Sequence, residues 1–313
     1  MIKTSKYAND TESVVIAIGD PAGIGIEITL KALYSLNLEK KSQTIIVGCK
    51  KNIDFTYLVL KSKGIQNLVN PNELKIIDIP IDTIIEPGKP NISSGSASFR
   101  WLTYAADLIC KGQGKALITA PICKHLWHKA GHQYPGQTER LAEITKAKEA
   151  SMLFTAISPH NGWRLNTLLA TTHIPLSLVP QSITPRLIRS KLEILLTFCK
   201  KFKANPTIAI AGLNPHSGEE GGLGKEEVNL LLPTLNQWKE IHPKTTLLGP
   251  IPPDTCWVAS AKAWKGEQSP NCPDGILALY HDQGLIPMKT IAFDQAVNTT
   301  LGLPFIRTSP DHG

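Results

Sequence analysis

Six short, almost unbroken apolar runs punctuate this chain, each followed by a loop rich in Gly, Pro or His and then by a stretch of helical character. The runs span 13–20 (SVVIAIGD), 43–48 (QTIIVG), 116–120 (ALITA), 167–172 (TLLATT), 207–213 (TIAIAGL) and 275–280 (GILALY). Continuous Val, Ile and Leu, rather than strict alternation, marks strands covered on both faces. Helices are expected over 25–36, 94–111, 139–146, 184–200 and 225–240. This rhythm predicts an α/β fold on a parallel sheet, and 313 residues leave room for one large or two ordinary domains. The polar stretches 131–137 and 260–274 are candidate crossings between lobes.

Composition narrows the function classes. Hydrophobic residues make up 42% and charged residues 19%, with no apolar run long enough to span a bilayer. The opening MIKTSKYANDTES lacks the apolar core of a secretory signal, so a cytoplasmic location is expected. Cys49, Cys110, Cys123, Cys199, Cys256 and Cys272 form no CxxC pair, which argues against a disulfide framework or a cysteine zinc knuckle. The net charge of +7 is spread along the chain and aromatic residues are only 6%, so an attraction for small anions is expected rather than nucleic-acid binding.

Three of the nine histidines occupy matching places: His173 in TTH, His216 in NPH and His281 in YH, each shortly after an apolar run. Ligands of open α/β sheets bind beyond the carboxyl ends of the strands, so these imidazoles are candidates to converge on one divalent metal ion. Three neutral nitrogen ligands leave coordination positions open and the ion's full charge available; zinc suits the ligand type, and cobalt or magnesium are alternatives.

Two glycine-rich loops carry weaker signals. GDPAGIGIE (19–27) follows a strand and enters a helix, but its glycines do not make GxGxxG and no GK[ST] follows, so it reads as a tight turn with Asp20 as a possible site residue. NPHSGEEGGLGKEE (214–227) could bring backbone amides close to an anion, although Glu219, Glu220, Glu226 and Glu227 would oppose one. Lys289, Asn298 and Arg307 follow at intervals of nine and offer a point charge, a neutral hydrogen bond and a planar fork.

Together, GDPAGIGIEI, ALITAPICK, PGQTE, TTHIPL, LNPHSGEEGGLGKEE, GPIPPDT, LALYHDQGLIPMK and VNTTLGLPFIRTSPDHG resemble the 4-hydroxythreonine-4-phosphate dehydrogenase family of vitamin B6 biosynthesis, from residue 19 to the last. The resemblance implies a two-lobed α/β/α fold like the isocitrate and isopropylmalate dehydrogenases. Its lobes would be 1–130 with 290–313, and 131–289, flanking an active-site cleft. It further implies a homodimer with shared active sites, NAD or NADP bound outside a Rossmann site, and one divalent ion (Zn, Co or Mg) per subunit. By the same resemblance His173, His216 and His281 ligate the ion, while Gln137, Thr138, Lys289, Asn298 and Arg307 contact a phosphorylated substrate. Lys289 and Asp282 are the expected catalytic groups, for proton transfer and for orienting groups near the ion. The implied reaction oxidises 4-phosphooxy-L-threonine to a β-keto acid that decarboxylates to 3-amino-2-oxopropyl phosphate.

Two departures stand out. The family usually reads GHTE where this chain has GQTE, and Gln137 cannot carry the proton or charge of a histidine. Relatives continue past Gly313 with a further stretch, which in the wider superfamily touches the cofactor's adenosine; a truncation or impaired cofactor binding is therefore expected. Three alternatives follow: a relative acting on phosphorylated threonate or erythronate, a three-histidine metal lyase or hydrolase needing no nicotinamide, and a non-catalytic metal binder.

Overall fold

A computed structural model of the protein describes residues 12–147 and 149–310. The opening eleven residues and the closing Asp311, His312 and Gly313, on which the localisation and tail expectations rest, lie outside the described residues. The chain divides into two compact units, one within Met1–Ala150 and Gly302–Gly313, the other Ser151–Leu301. These changeovers fall at 150 and 301, against the approximate 130 and 290 expected from sequence.

The first unit is a parallel sheet of β1 (Val14–Ala17), β2 (Thr44–Gly48), β3 (Lys75–Asp78), β4 (Ala116–Thr119) and β11 (Ile306–Ser309), in the order β3-β2-β1-β4-β11. Every residue of β2 is buried, as its apolar run requires. The helix Ile92–Cys110 opens with a capping box, in which Asn91 accepts from the Ser94 amide and Ser94 accepts from the Asn91 amide, an arrangement worth about 1 kcal/mol. Its inner face buries Trp101, Leu102 and Ala105 in one cluster with Val15, Ile46 and Leu117.

The second unit contains β5 (Ser151–Ile157), β6 (Arg164–Leu169), β7 (Thr207–Ala211), β8 (Thr246–Ile251), β9 (Gly275–Ala278) and β10 (Val297–Leu301), in the order β10-β5-β6-β9-β7-β8. β5 pairs antiparallel with both β6 and β10, which corrects the expectation of a purely parallel sheet; β6, β9, β7 and β8 are parallel. Successive residues divide between two clusters: Leu168, Ile208, Ile210 and Leu277 in one, Leu169, Ala209, Ala211 and Ala278 in the other. Both faces of the sheet are therefore covered, the arrangement that unbroken apolar runs encode. The helix Pro185–Cys199 begins with a Thr184 cap and Pro185 at its first turn, and buries Ile188, Leu192, Leu195 and Cys199 at helical spacing.

The sheet order positions the functional loops. β9 is last of the parallel strands in sequence but inserts between β6 and β7, so three strands far apart in the chain deliver their carboxyl ends side by side.

Candidate metal and substrate site

The rim of the second unit is built by the exits of β6, β9 and β7. Past the last β6 residue, the Ala170 amide donates to Ala278 O and the Thr171 amide to Leu279 O; the Thr171 hydroxyl also donates to Leu279 O at 2.7 Å. The two exits therefore run together until His173 and His281, whose ring centroids are 5.5 Å apart. Two imidazoles on one tetrahedral ion, each nitrogen about 2.0–2.1 Å away, would place their centroids about 5 Å apart, so this pair fits a shared ion. A cavity of about 220 Å³ lies against Thr171, His173, Tyr280 and His281.

His281 does not sit in a loop, as the sequence suggested; it opens the helix His281–Ala292, with Tyr280 as its extended N-cap. Gly284 and Pro287 disguise this helix in the sequence. Gly284 is required by close packing, because a Cβ there would lie 2.6 Å from Leu169 and 3.0 Å from Ala278. Leu285, Met288 and Ala292 turn inward at helical spacing and were the legible sign of it. Lys289 follows two turns after His281 on the same helix, and both line a depression of about 450 Å³.

Asp282 Oδ1 lies 2.7 Å from His281 Nδ1. A carboxylate only accepts, so Nδ1–H is the donor in this contact and Nε2 is the nitrogen left to face a metal ion. Gln283, missed by sequence reasoning, is 7% exposed and ties two exits together: it accepts from the Leu279 amide at 2.6 Å and donates to Gly212 O at 2.7 Å.

His216 stands five residues past the end of β7, in a turn of unusual backbone. His216, Ser217, Gly218, Glu219 and Glu220 all have left-handed φ, between 45° and 80°. Each non-glycine residue held there costs on the order of 1–2 kcal/mol, a strain that accumulates at functional sites. The glutamates feared as opponents of an anion face inward in part: Glu226 and Glu227 both accept from the Asn214 amide group, at 2.8 and 2.9 Å, and that bond holds the Glu226 carboxyl below its ordinary range. Among the described residues no group of three or more His, Cys, Asp or Glu side chains is gathered closely enough to hold an ion; His173 and His281 are paired, and His216 occupies the neighbouring strand exit.

The first unit has its own rim, beyond β1, β4 and β11. Its order reverses between β1 and β4, the switch point at which α/β sheets take ligands. Asp20 is 4% exposed; it accepts from the Ala22 amide at 2.9 Å and the Ser94 hydroxyl at 3.2 Å, yet burial outweighs both bonds and raises its carboxyl. Gly19 and Gly25 are forced here, since a Cβ would meet Pro121 O at 2.3 Å and Ile18 O at 2.2 Å. GDPAGIGIE is thus a packing turn. Arg307 is 4% exposed and donates from Nε and Nη2 to Thr119 Oγ1; burial lowers it to about 10, partly offset by Glu139, so it remains a cation at neutral pH. Gln137 donates to Ala120 O at 3.0 Å, which fixes the amide and leaves its buried Oε1 without a hydrogen bond. Thr138 follows Gln137 in the first turn of the helix Gln137–Thr145. Asn298, on β10 of the second unit, is 9% exposed and likewise has a buried Oδ1 with no partner. All six cysteines are free thiols, and burial pushes Cys199 and Cys256 up to about 12.

The family model described as "Pyridoxal phosphate biosynthetic protein PdxA" matches residues 24–313. The chain belongs to the PdxA family. Within that family it is 52% identical over 305 residues to the 4-hydroxythreonine-4-phosphate dehydrogenase of Synechococcus sp. (strain RCC307), covering 96% of this chain and 91% of the relative. A solved 4-hydroxythreonine-4-phosphate dehydrogenase from Klebsiella pneumoniae superposes with a TM-score of 0.78 at 32% identity, over 96% of this chain and 89% of that one. A Salmonella typhi relative, provisionally named D-threonate 4-phosphate dehydrogenase, is 36% identical over 321 residues, covering 97% of this chain and 91% of the relative. No helix among the described residues is long and apolar enough to cross a membrane.

Proposed function

We propose that this PdxA-family enzyme is a 4-hydroxythreonine-4-phosphate dehydrogenase, which oxidises 4-phosphooxy-L-threonine with NAD or NADP to a β-keto acid that loses carbon dioxide. The observation that carries the site assignment is the pairing of His173 with His281 on adjoining strand exits, with Asp282 orienting His281. His173, His281 and His216 are the residues that would hold one divalent ion (Zn, Co or Mg). Such an ion, when bound, supplies Lewis acidity that favours loss of the substrate's hydroxyl proton and steadies negative charge left by decarboxylation. A nicotinamide, when bound, accepts the hydride.

The chain's own residues bind and orient. Arg307 is a buried cation and takes an anionic group of the substrate, phosphate or carboxylate. Gln137 and Asn298 each hold a buried oxygen with no partner, and such acceptors match hydroxyl or ammonium donors on the substrate. Thr138, in the first helical turn beside Gln137, contributes a hydroxyl to the same binding role. Lys289, two turns beyond His281, moves a proton or contacts an anion. The isocitrate and isopropylmalate dehydrogenase-like arrangement, a homodimer with shared active sites and a cytoplasmic location belong to the same proposal.

Turnover is tested by mixing the enzyme, a divalent metal salt, NAD or NADP and 4-phosphooxy-L-threonine, then following absorbance of the reduced cofactor. Reduction dependent on all four components is expected; none with either cofactor would refute the reading. A second reading, oxidation of phosphorylated threonate or erythronate, is favoured by Gln137 and by the Salmonella typhi relative. The same assay with D-threonate 4-phosphate separates the two.

A further inference from the structure

We infer that Glu227 is a positioning residue for the metal site: it is the anchor that holds the strained His216 turn at the exit of β7. The inference rests on the reading of His216 as a metal ligand. Glu227 is 1% exposed and begins the short π-helical segment Glu227–Leu231. A buried carboxylate needs donors for its oxygens, and here they come from the stem of the turn. The Leu213 amide donates to Oε1 at 2.7 Å, the Asn214 amide to the same oxygen at 2.8 Å, and Asn214 Nδ2 to Oε2 at 2.9 Å.

These bonds fix the chain two and three residues before His216. The turn then closes around the same carboxylate. A Cβ on Gly218 would lie 2.7 Å from Glu227 Oε2, and one on Gly224 only 2.2 Å from Asn214 Nδ2, so both glycines are dictated by the proximity of this anchor. The Leu223 amide donates to Gly218 O at 3.0 Å, and the Ser217 hydroxyl to Pro250 O at 3.1 Å, completing the loop.

Left-handed residues in succession persist only when their surroundings over-determine them. His216 itself is exposed, so burial does not restrain it. The restraint therefore comes from the stem, and three charge-assisted hydrogen bonds to one buried group are its strongest component. Glu227 touches neither substrate nor ion in this role. It acts through His216, as supporting partners of metal ligands do, and loss of such a partner weakens metal binding about 10–100-fold.

The test is calorimetric titration of zinc into the metal-free full chain, with thermal melting of each metal-free variant in parallel. Glu227→Gln keeps the size of the side chain but sets an amide donor against Asn214 Nδ2. Its zinc affinity is expected to fall at least tenfold. Asn214→Ala removes one of the three bonds and is expected to fall severalfold; it carries the test if Glu227→Gln fails to fold. Asp274→Asn is the control: Asp274 accepts from the Thr207 amide at the start of β7, so this variant should lower the melting temperature and leave zinc affinity unchanged. Zinc affinity unaltered in Glu227→Gln and Asn214→Ala, with His216→Ala weakened, overturns the inference and leaves the ion reading standing. An equal loss in Asp274→Asn also overturns it, because a merely structural role would then suffice. If His216→Ala binds zinc as the wild type does, or the wild type binds none, the ion reading itself fails.

Discussion

The two rims are built on opposite principles. In the first unit, Asp20 and Arg307 are each 4% exposed and held by hydrogen bonds to Ala22, Ser94 and Thr119, and Gly19 and Gly25 let the backbone beside Asp20 pack closely. In the second unit, His173 and His216 are exposed and lie on left-handed backbone, while His281 is 37% exposed at a helix start. A buried, prearranged guanidinium such as Arg307 suits the recognition of a substrate's fixed anionic groups. Exposed imidazoles suit an ion that must enter from solvent and retain open positions. On the proposed reading, one rim recognises and the other reacts.

That contrast can be broken by experiment. The largest effect is expected from His281→Ala: removing a ligand should lower kcat more than the roughly 100-fold cost of losing a supporting partner, with KM little changed. Next comes Arg307→Met, which keeps bulk and removes charge. Loss of charged hydrogen bonds worth about 1.5–3 kcal/mol should raise KM roughly tenfold to a hundredfold with a smaller change in kcat. Steady-state kinetics on both variants decides; a kcat defect in Arg307→Met matching that of His281→Ala would erase the distinction between the rims.

A smaller effect is expected from Gln137→His. It supplies a group that can carry a proton, and should shift the kcat/KM ratio between 4-phosphooxy-L-threonine and D-threonate 4-phosphate severalfold, measured side by side. An unchanged ratio would remove Gln137 from substrate choice.

The smallest concerns Asp20, whose carboxyl burial raises above its ordinary 3.8. A raised folded value favours the protonated form, so the stabilisation is complete below 3.8 and is lost as pH rises through the folded value. Wild type should therefore lose melting temperature relative to Asp20→Asn between pH 4 and 7. A constant difference across that range would show that the hydrogen bonds from Ala22 and Ser94 cancel the effect of burial.

Much of the fold was legible because burial on two faces leaves a local record. All six apolar runs became strands, within a few residues at their ends. Of the strands that escaped notice, β5 is largely apolar and internal, while the others carry polar residues inward or lie at edges. β10 buries Asn298, Thr299 and Thr300, β11 buries Arg307, and β3 and β8 are the outermost strands of their units. Polar residues inside a sheet look like loop in a sequence, and only their partners tell otherwise. The histidines were legible as a set because each follows a strand, whereas the helix that carries His281 and Lys289 was hidden by Gly284 and Pro287.

By itself, the sequence determined which segments must be buried, where the chain turns, and that three imidazoles emerge after strands. These follow from hydrophobicity and backbone freedom, which are properties of a residue and its near neighbours. Tertiary structure alone decided that β9 inserts between β6 and β7, and so that His281, rather than His216, lies beside His173. It also decided the left-handed turn at His216, because the acceptor that pins its stem is Glu227, thirteen residues further on from Asn214. A strained conformation of that kind exists only when distant groups supply what the local chain lacks.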